Sequence, residues 1–369
     1  MTPPRVVEAR APGKLYIAGE YAVVETGFPA VLVAVDRYVT VRVTTATGTG
    51  HITSDHHTQS RLEWHRGDRG MVVEPDQAPF DFVLAAAGVV EEVAAALGTP
   101  LEVFDLDITS ELDDDSGRKF GLGSSAAVTV ATVRALCDFY RLDLTRMQQL
   151  KLALLASISV QTSGSGGDVA ASMAGGWIAY TSFDREWARS ERAVRPLPEL
   201  IDTDWPGLSV RRLCPPDRLR LLVGWTGSPA STSRLVGDVQ SRKQGEGMDY
   251  TRFLAESRRC VTGLTAALDN DDPAGVLAGI RRNRELLRGL GEHSGTTIET
   301  PTLRRLIEIA EANGGAAKTS GAGGGDCGIV LIDTGTGGAG HIDELLAAWE
   351  RADIRVLNLH DHQPDGTIE

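Results

Sequence analysis

The chain has 369 residues, 42% of them hydrophobic and 24% charged, and a net charge of −13 at pH 7. That length exceeds one ordinary hydrophobic core and the composition is that of a folded protein, so two domains are expected and a disordered chain is excluded. The acidic balance argues against binding nucleic acid or an anionic membrane, yet leaves room for a small anion met by a few placed cations and backbone N–H groups.

The opening MTPPRVVEARAPGK has no apolar run of the kind a secretory signal needs. Residues 14–45 alternate apolar and polar, as at Val39, Val41 and Val43, and read as strands. A helix is expected over about 80–97, closed by Gly98 and Pro100; Glu91 and Glu92 make it amphipathic rather than a membrane span. Residues 101–108 read as a strand, 124–140 as a helix launched from a glycine-rich loop, 145–160 as a second helix, and 177–180 as a strand. Residues 182–217, with Pro196, Pro198, Pro206, Pro215 and Pro216, show no sustained period. The domain connection is placed there, giving domains 1–195 and 196–369. Strands at 219–225, 327–332 and 354–359 and helices at 250–268, 273–290, 301–312 and 341–351 make the second half an α+β layer. Cys137, Cys214, Cys260 and Cys327 are scattered without a CxxC pair, which reads as reduced thiols in a cytoplasmic protein.

Three glycine-rich segments carry chemistry. Gly121-Leu-Gly-Ser-Ser-Ala-Ala127 lets backbone approach a phosphate, with two hydroxyls and a helix N-terminus behind it. The plainer reading is a serine helix cap. No lysine precedes Ser124, so it is not a Walker A loop, and its glycine spacing is not that of the dinucleotide fingerprint. Ser163-Gly-Ser-Gly-Gly-Asp168 presents an acid after small residues, either as a base or metal ligand or as a cap of the next helix. Lys318-Thr-Ser-Gly-Ala-Gly-Gly-Gly-Asp326 concentrates glycine beyond what a hairpin turn requires and suits an anion nest. Lys14, in Pro12-Gly-Lys-Leu-Tyr-Ile-Ala-Gly-Glu-Tyr21, is by itself an edge-strand lysine. The pairs in Ser54-Asp-His-His57 and His360-Asp-His362 read as solvated rather than metal-binding, and Arg281, Arg282, Arg284 and Arg288 as a solvated helix face.

Taken in order from Ala11 to about Leu359, these four segments resemble the superfamily of galactokinase, homoserine kinase, mevalonate kinase and phosphomevalonate kinase (GHMP). Within it, GKLYIAGEY, the GSGGDVAAS run at 164–172 and Trp225-Thr-Gly-Ser look most like the phosphomevalonate kinase branch. A mevalonate kinase would be expected to carry GEH in place of Gly19-Glu-Tyr21. The resemblance implies an α+β, two-domain fold: an N-terminal domain like domain 2 of ribosomal protein S5, a ferredoxin-like C-terminal domain, and a site in the cleft between them. It implies ATP and Mg²⁺, with phosphomevalonate as acceptor. Gly121, Leu122, Gly123, Ser124, Ser125, Ala126 and Ala127 would hold the ATP phosphates, with Ser125 or its neighbour Ser124 near the metal. Lys14 and Asp168 would act at the acceptor. Ser320, Gly321 and Ala322 would close the site, and Tyr21 with the Ser231–Ser233 region, including Thr232, would contact the acceptor. Lys119 and Lys318 are further candidate cations for the acceptor phosphate. Many relatives hold Mg²⁺ with a Glu about three helical turns before the Asp; counting puts Ser157 there, and no Asp or Glu lies between Asp143 and Asp168. Rival readings are an alcohol kinase of the same superfamily, mevalonate kinase first, and a non-catalytic ligand sensor, against which Lys14 and Asp168 count.

Overall fold

In the computed structural model all residues are described other than 1–3, 56–60, 68–69, 74–79, 115, 229–231, 243–249, 337, 364–365, 367 and 369. The first part of the chain runs β1 (Val6–Ala18), β2 (Pro29–Thr45), β3 (Thr49–Ser54), β4 (Leu62–Gly67), β5 (Gly70–Val73), α1 (Asp81–Ala96), β6 (Phe104–Ser110), α2 (Ser124–Tyr140), α3 (Arg146–Val160), α4 (Gly167–Ala174), β7 (Trp177–Thr181), α5 (Arg185–Val194), α6 (Leu197–Asp202) and β8 (Ser209–Leu213). The second continues with β9 (Leu219–Trp225), α7 (Thr232–Arg242), α8 (Tyr250–Asp269), α9 (Pro273–Ser294), α10 (Pro301–Ala312), β10 (Ala316–Thr319), β11 (Cys327–Asp333), α11 (Gly338–Arg351) and β12 (Arg355–Leu357).

Strands β1 to β8 form one sheet and β9 to β12 another. β1 lies antiparallel along one edge of β2; the other edge of β2 pairs with β7 from Pro29 to Val33 and with β6 from Val39 to Thr45. The expected alternation is seen where it was read: Val39, Val41 and Val43 are buried while Thr40 and Arg42 are not, each buried valine contributing about 1.5–3 kcal/mol. Helices α2 and α4 pack on β1 and β2 and carry α1 and α3 behind them. The α3 start is a capping box between Thr145 and Gln148, and α9 and α10 each start on a capping Asp272 or Thr300 followed by proline.

The proline-rich stretch holds more order than its composition suggests. It contains α5, α6 and β8, and β8 pairs antiparallel with β7 in the first sheet. The chain therefore stays with the first sheet past the expected division at 195/196 and enters the second sheet only at Leu219. Helix α5 is too polar to leave an apolar stripe, and α6 and β8 are six and five residues long, so the prolines outweigh their weak pattern.

The two parts meet through a shared apolar cluster. Tyr21, Ala22 and Val24, in and just before a short turn of 3-10 helix (Ala22–Val24), pack with Val236, Tyr250, Phe253, Leu287, Leu290 and Ala322. The carboxyl-terminal segment also crosses back: His362 N–H donates to Ala34 O at 2.9 Å and Asp36 N–H to His360 O at 2.9 Å. Among the described residues no helix is long and apolar enough to cross a membrane.

Candidate active site

A cavity of about 430 Å³ opens between the two parts, lined by Lys14, Tyr16 and Tyr21, by residues 121–125, by Ser157, Gln161, Ser165 and Asp168, and by Ser320, Gly321, Ala322 and Asp326. All three glycine-rich segments reach it.

The loop before α2 has a left-handed backbone at Gly121 (φ 83°) and Gly123 (φ 84°), which favours glycine. Space imposes the same choice. A Cβ on Gly121 would meet the Asp326 side chain at 2.6 Å, and one on Gly123 would meet Lys14 Cε at 2.9 Å. Gly123 is the N-cap of α2, no side chain caps it, and no acid sits in the first turn. The serine-cap reading therefore fails: the Ser124 and Ser125 hydroxyls and the first N–H groups are left to the cavity, at the positive end of a 17-residue helix. Leu122 reaches the cavity too, but its side chain is buried, and Ala126 and Ala127 are buried behind the loop, outside the lining. The buried Cys327 thiol donates to Phe120 O at 3.0 Å and fixes the entry to the loop from β11.

Lys14 is 8% exposed. Its backbone N–H donates to Leu122 O at 2.8 Å and its Nζ to Gly121 O at 3.2 Å, so strand and loop hold each other. Asp168 is the second residue of α4; the cap is Gly166, without a side-chain bond. One Asp168 oxygen accepts from Val169 N–H at 3.0 Å, and the cap reading fails here as well. Lys14 and Asp168 share the cavity without an ion pair between them. Lys119, exposed, lines this cavity and an adjoining pocket of about 130 Å³ with Phe80, Phe82, Val83, Ile108 and Val128; Ser124 and Ser125 stand between the two.

The late glycine loop is tied to β1 from across the interface. Tyr16 N–H donates to Ser320 Oγ at 2.9 Å, and the Ser320 hydroxyl donates to Tyr16 O at 3.1 Å. Tyr21, in left-handed backbone (φ 62°), donates its phenol to Ala322 O at 2.6 Å. The Tyr21 hydroxyl, expected at the acceptor, and the Ser320 hydroxyl, expected to close the site, thus serve as staples between the two parts. Gly321, left-handed at φ 77°, and Ala322 remain in the wall. Ser231 lies outside the described residues; Thr232 opens α7, whose Val236 lines the cavity.

Lys318 is corrected. Its side chain is fully buried and donates to Glu20 Oε1 and, at 2.6 Å, to Thr319 O. Burial pulls this ammonium down while the Glu20 carboxylate opposes it. Asn283 Nδ2 donates to the other Glu20 oxygen at 2.9 Å, and Asn283 Oδ1 accepts from Gly19 N–H at 3.2 Å. Lys318 is a joint between the two parts, not a phosphate ligand. Tyr16 went unread in the sequence: its hydroxyl meets Ser165 Oγ at 3.0 Å, and burial, then the Asp168 charge, raises its pKa. The basic residues of α9 are also engaged: Arg284 with Glu299 and Glu311, Arg282 with Glu256 and Glu285. His362 Nδ1 lies 3.0 Å from Tyr38 OH, His56 and His57 fall outside the described residues, and no group of three or more metal-binding side chains occurs among the described residues.

Residues 82–176 match the GHMP kinases N terminal domain and residues 264–351 the GHMP kinases C terminal domain. The phosphomevalonate kinase of Streptomyces sp. (strain CL190) is 43% identical over 366 residues, 96% of this chain and 97% of that protein. The mevalonate kinase of Pyrococcus horikoshii is 28% identical over 88% of each chain. A solved structure of Streptococcus pneumoniae phosphomevalonate kinase in complex with phosphomevalonate and AMPPNP superposes with a TM-score of 0.84 at 29% identity, covering 96% of this chain and 99% of that one. The chain belongs to the GHMP kinases and, within them, to the phosphomevalonate kinase family.

Proposed function

We propose that this protein transfers the γ-phosphoryl group of ATP to the phosphate of (R)-5-phosphomevalonate, giving the 5-diphosphate and ADP. The observation that carries the reading is one cavity that joins an uncapped helix N-terminus, a buried lysine and an available carboxylate. The α2 N-terminus and the Ser124 and Ser125 hydroxyls receive the triphosphate, and the apolar pocket beyond them suits the nucleoside base.

The acceptor is a phosphate monoester with a second pKa near ~6, so it arrives mostly as a dianion and needs little help from a base. The difficulty is bringing two polyanions together. Lys14 sits on the phosphate loop itself, and Lys119 stands between the two pockets, so both neutralise charge where the groups meet.

Mg²⁺ suits the oxygens present. Of the lining carboxylates, Glu20 is taken by Lys318 and Asn283 and Asp326 is packed against Gly121, while Asp168 keeps an oxygen for the cavity. Asp168 and the Ser125 hydroxyl would hold the ion together with phosphate oxygens and water, as Mg²⁺ prefers, and it would supply further charge neutralisation. The position counted for the usual metal Glu is in the wall as Ser157, with Gln161 one turn on.

The test is product identity by ³¹P NMR with ATP, Mg²⁺ and phosphomevalonate. A diphosphate ester appearing with ADP is expected. ADP released without a new phosphorus–oxygen–phosphorus resonance overturns the proposal.

A further inference from the structure

Arg185, at the start of α5, is a half-buried cation without a carboxylate at ion-pair distance among the described residues. Its guanidinium donates to Gly164 O at 3.2 Å and to Val24 O at 2.6 Å. Those two carbonyls belong to residues that line the cavity, yet Arg185 itself is not part of the lining. It stands behind the wall and pins it at both carbonyls. Burial lowers its pKa, the sign of a charge held out of water. One turn on, Arg189 holds Thr162 O at 2.9 Å, so α5 ties down the chain at Thr162 and Gly164 ahead of Asp168.

Pinning Gly164 O has a stereochemical consequence. Across a trans peptide the C=O and the following N–H point in opposite directions, and the chain has no cis bond among its described residues. With Gly164 O turned back toward Arg185, the Ser165 N–H is turned the other way, toward the cavity. Ser165 is 9% exposed, and no protein acceptor takes that N–H among the described residues. A buried donor without an acceptor points to a ligand atom.

Position along the cavity decides which atom. Strand β1 meets the phosphate loop at Lys14 and proceeds past Tyr16 toward Tyr21 and Val24. At about 3.3 Å per residue, β1 runs about 13 Å past Lys14 to Ala18 before it turns through Tyr21 into the short helix that ends at Val24. An acceptor whose phosphate meets the loop therefore sends its other end toward Val24, Gly164 and Ser165. The lining there has no cation of its own: Lys14 and Lys119 both serve the phosphate end.

We propose that Arg185 is a positioning residue that sets the specificity for an acceptor carrying a second anionic group, a carboxylate, at the end remote from the reacting phosphate. It does so by aiming the Ser165 N–H at that carboxylate and by placing positive charge behind the wall. The proposal rests on the acceptor reading above.

The test uses full-length enzyme and the variants Arg185→Gln, Arg185→Lys and Arg185→Ala. Acceptors are phosphomevalonate and its carboxamide, which keeps the shape and loses the charge. Arg185→Gln is expected to raise KM for phosphomevalonate about tenfold or more, the scale of one charge-assisted hydrogen bond. KM for ATP stays within about twofold, and Arg185→Lys recovers part of the loss. The carboxamide binds wild type weakly and is insensitive to the variants. Equal losses for acid and amide, or KM for ATP rising in parallel, would make Arg185 a mere structural strut and overturn the proposal. Should the variants fail to fold, wild type alone decides: equal KM for acid and amide refutes it. Failure of wild type to use phosphomevalonate at all would instead sink the acceptor reading.

Discussion

Removing the ammonium of Lys318 tests the joint on which the site hangs. Lys318 and Glu20 are 0% and 2% exposed at their side chains, so water cannot replace a lost partner. In Lys318→Met the Glu20 carboxylate keeps only the Asn283 amide, and Thr319 O loses its donor. Breaking a buried pair from one side costs about 3–5 kcal/mol. Replacing both, as Glu20→Gln with Lys318→Met, leaves neutral groups; Gln can still accept from Asn283, and the loss falls to one or two hydrogen bonds, about 1–2 kcal/mol. Urea unfolding followed by tryptophan fluorescence, for both singles and the double, gives the cycle. The double is expected to be more stable than Lys318→Met by about 2 kcal/mol or more. Equal stability of the single and the double would show that the pair's charge is not the issue and that the reasoning is wrong.

Three further outcomes are expected. Ser125→Ala should cost about 100-fold in kcat, the scale of one transition-state hydrogen bond, with an unchanged unfolding midpoint, because Ser125 does not cap α2; a matching loss of stability would return it to a helix-capping role. At pH 8 Lys14→Met should lose more kcat than Asp168→Asn, whose amide still offers the ion an oxygen, and the gap should narrow below pH ~6 as the acceptor phosphate protonates; Asp168→Asn being the worse enzyme at pH 8 would make Asp168 an essential base. Asp114, in the turn leading to Lys119, accepts from the Ser116 hydroxyl first and from Arg118, which hold its carboxyl at about 2 against an ordinary 3.8. Its stabilisation is full above the ordinary value and lost as pH falls through about 2, so the stability gap between wild type and Asp114→Asn should shrink from pH 4 toward pH 2; a gap constant with pH would contradict it.

The chemistry was more legible than the joints. Helix α2 and strand β9 begin and end where the periodicity puts them, since a long period or a fully apolar run leaves a strong trace. That Lys14, Asp168 and the Ser124–Ser125 pair would line one cavity was legible because glycine beside a polar residue has few structural uses. Lys318 was misread because its partner, Glu20, lies 298 positions away and pairing at that range leaves no local pattern. The same holds for Ser320, whose hydroxyl is spent on the Tyr16 backbone, and for Arg185, whose partners are carbonyls with no sequence identity to read. Strand β8 was hidden by its proline-rich flanks.

The central claim is that the cavity phosphorylates a phosphate rather than an alcohol. Steady-state kcat/KM for (R)-5-phosphomevalonate and for mevalonate, on the same preparation with saturating ATP and Mg²⁺, tests it most directly. Ready turnover of phosphomevalonate with mevalonate left essentially untouched is the expected result; kcat/KM for mevalonate equal to or above that for phosphomevalonate would contradict it.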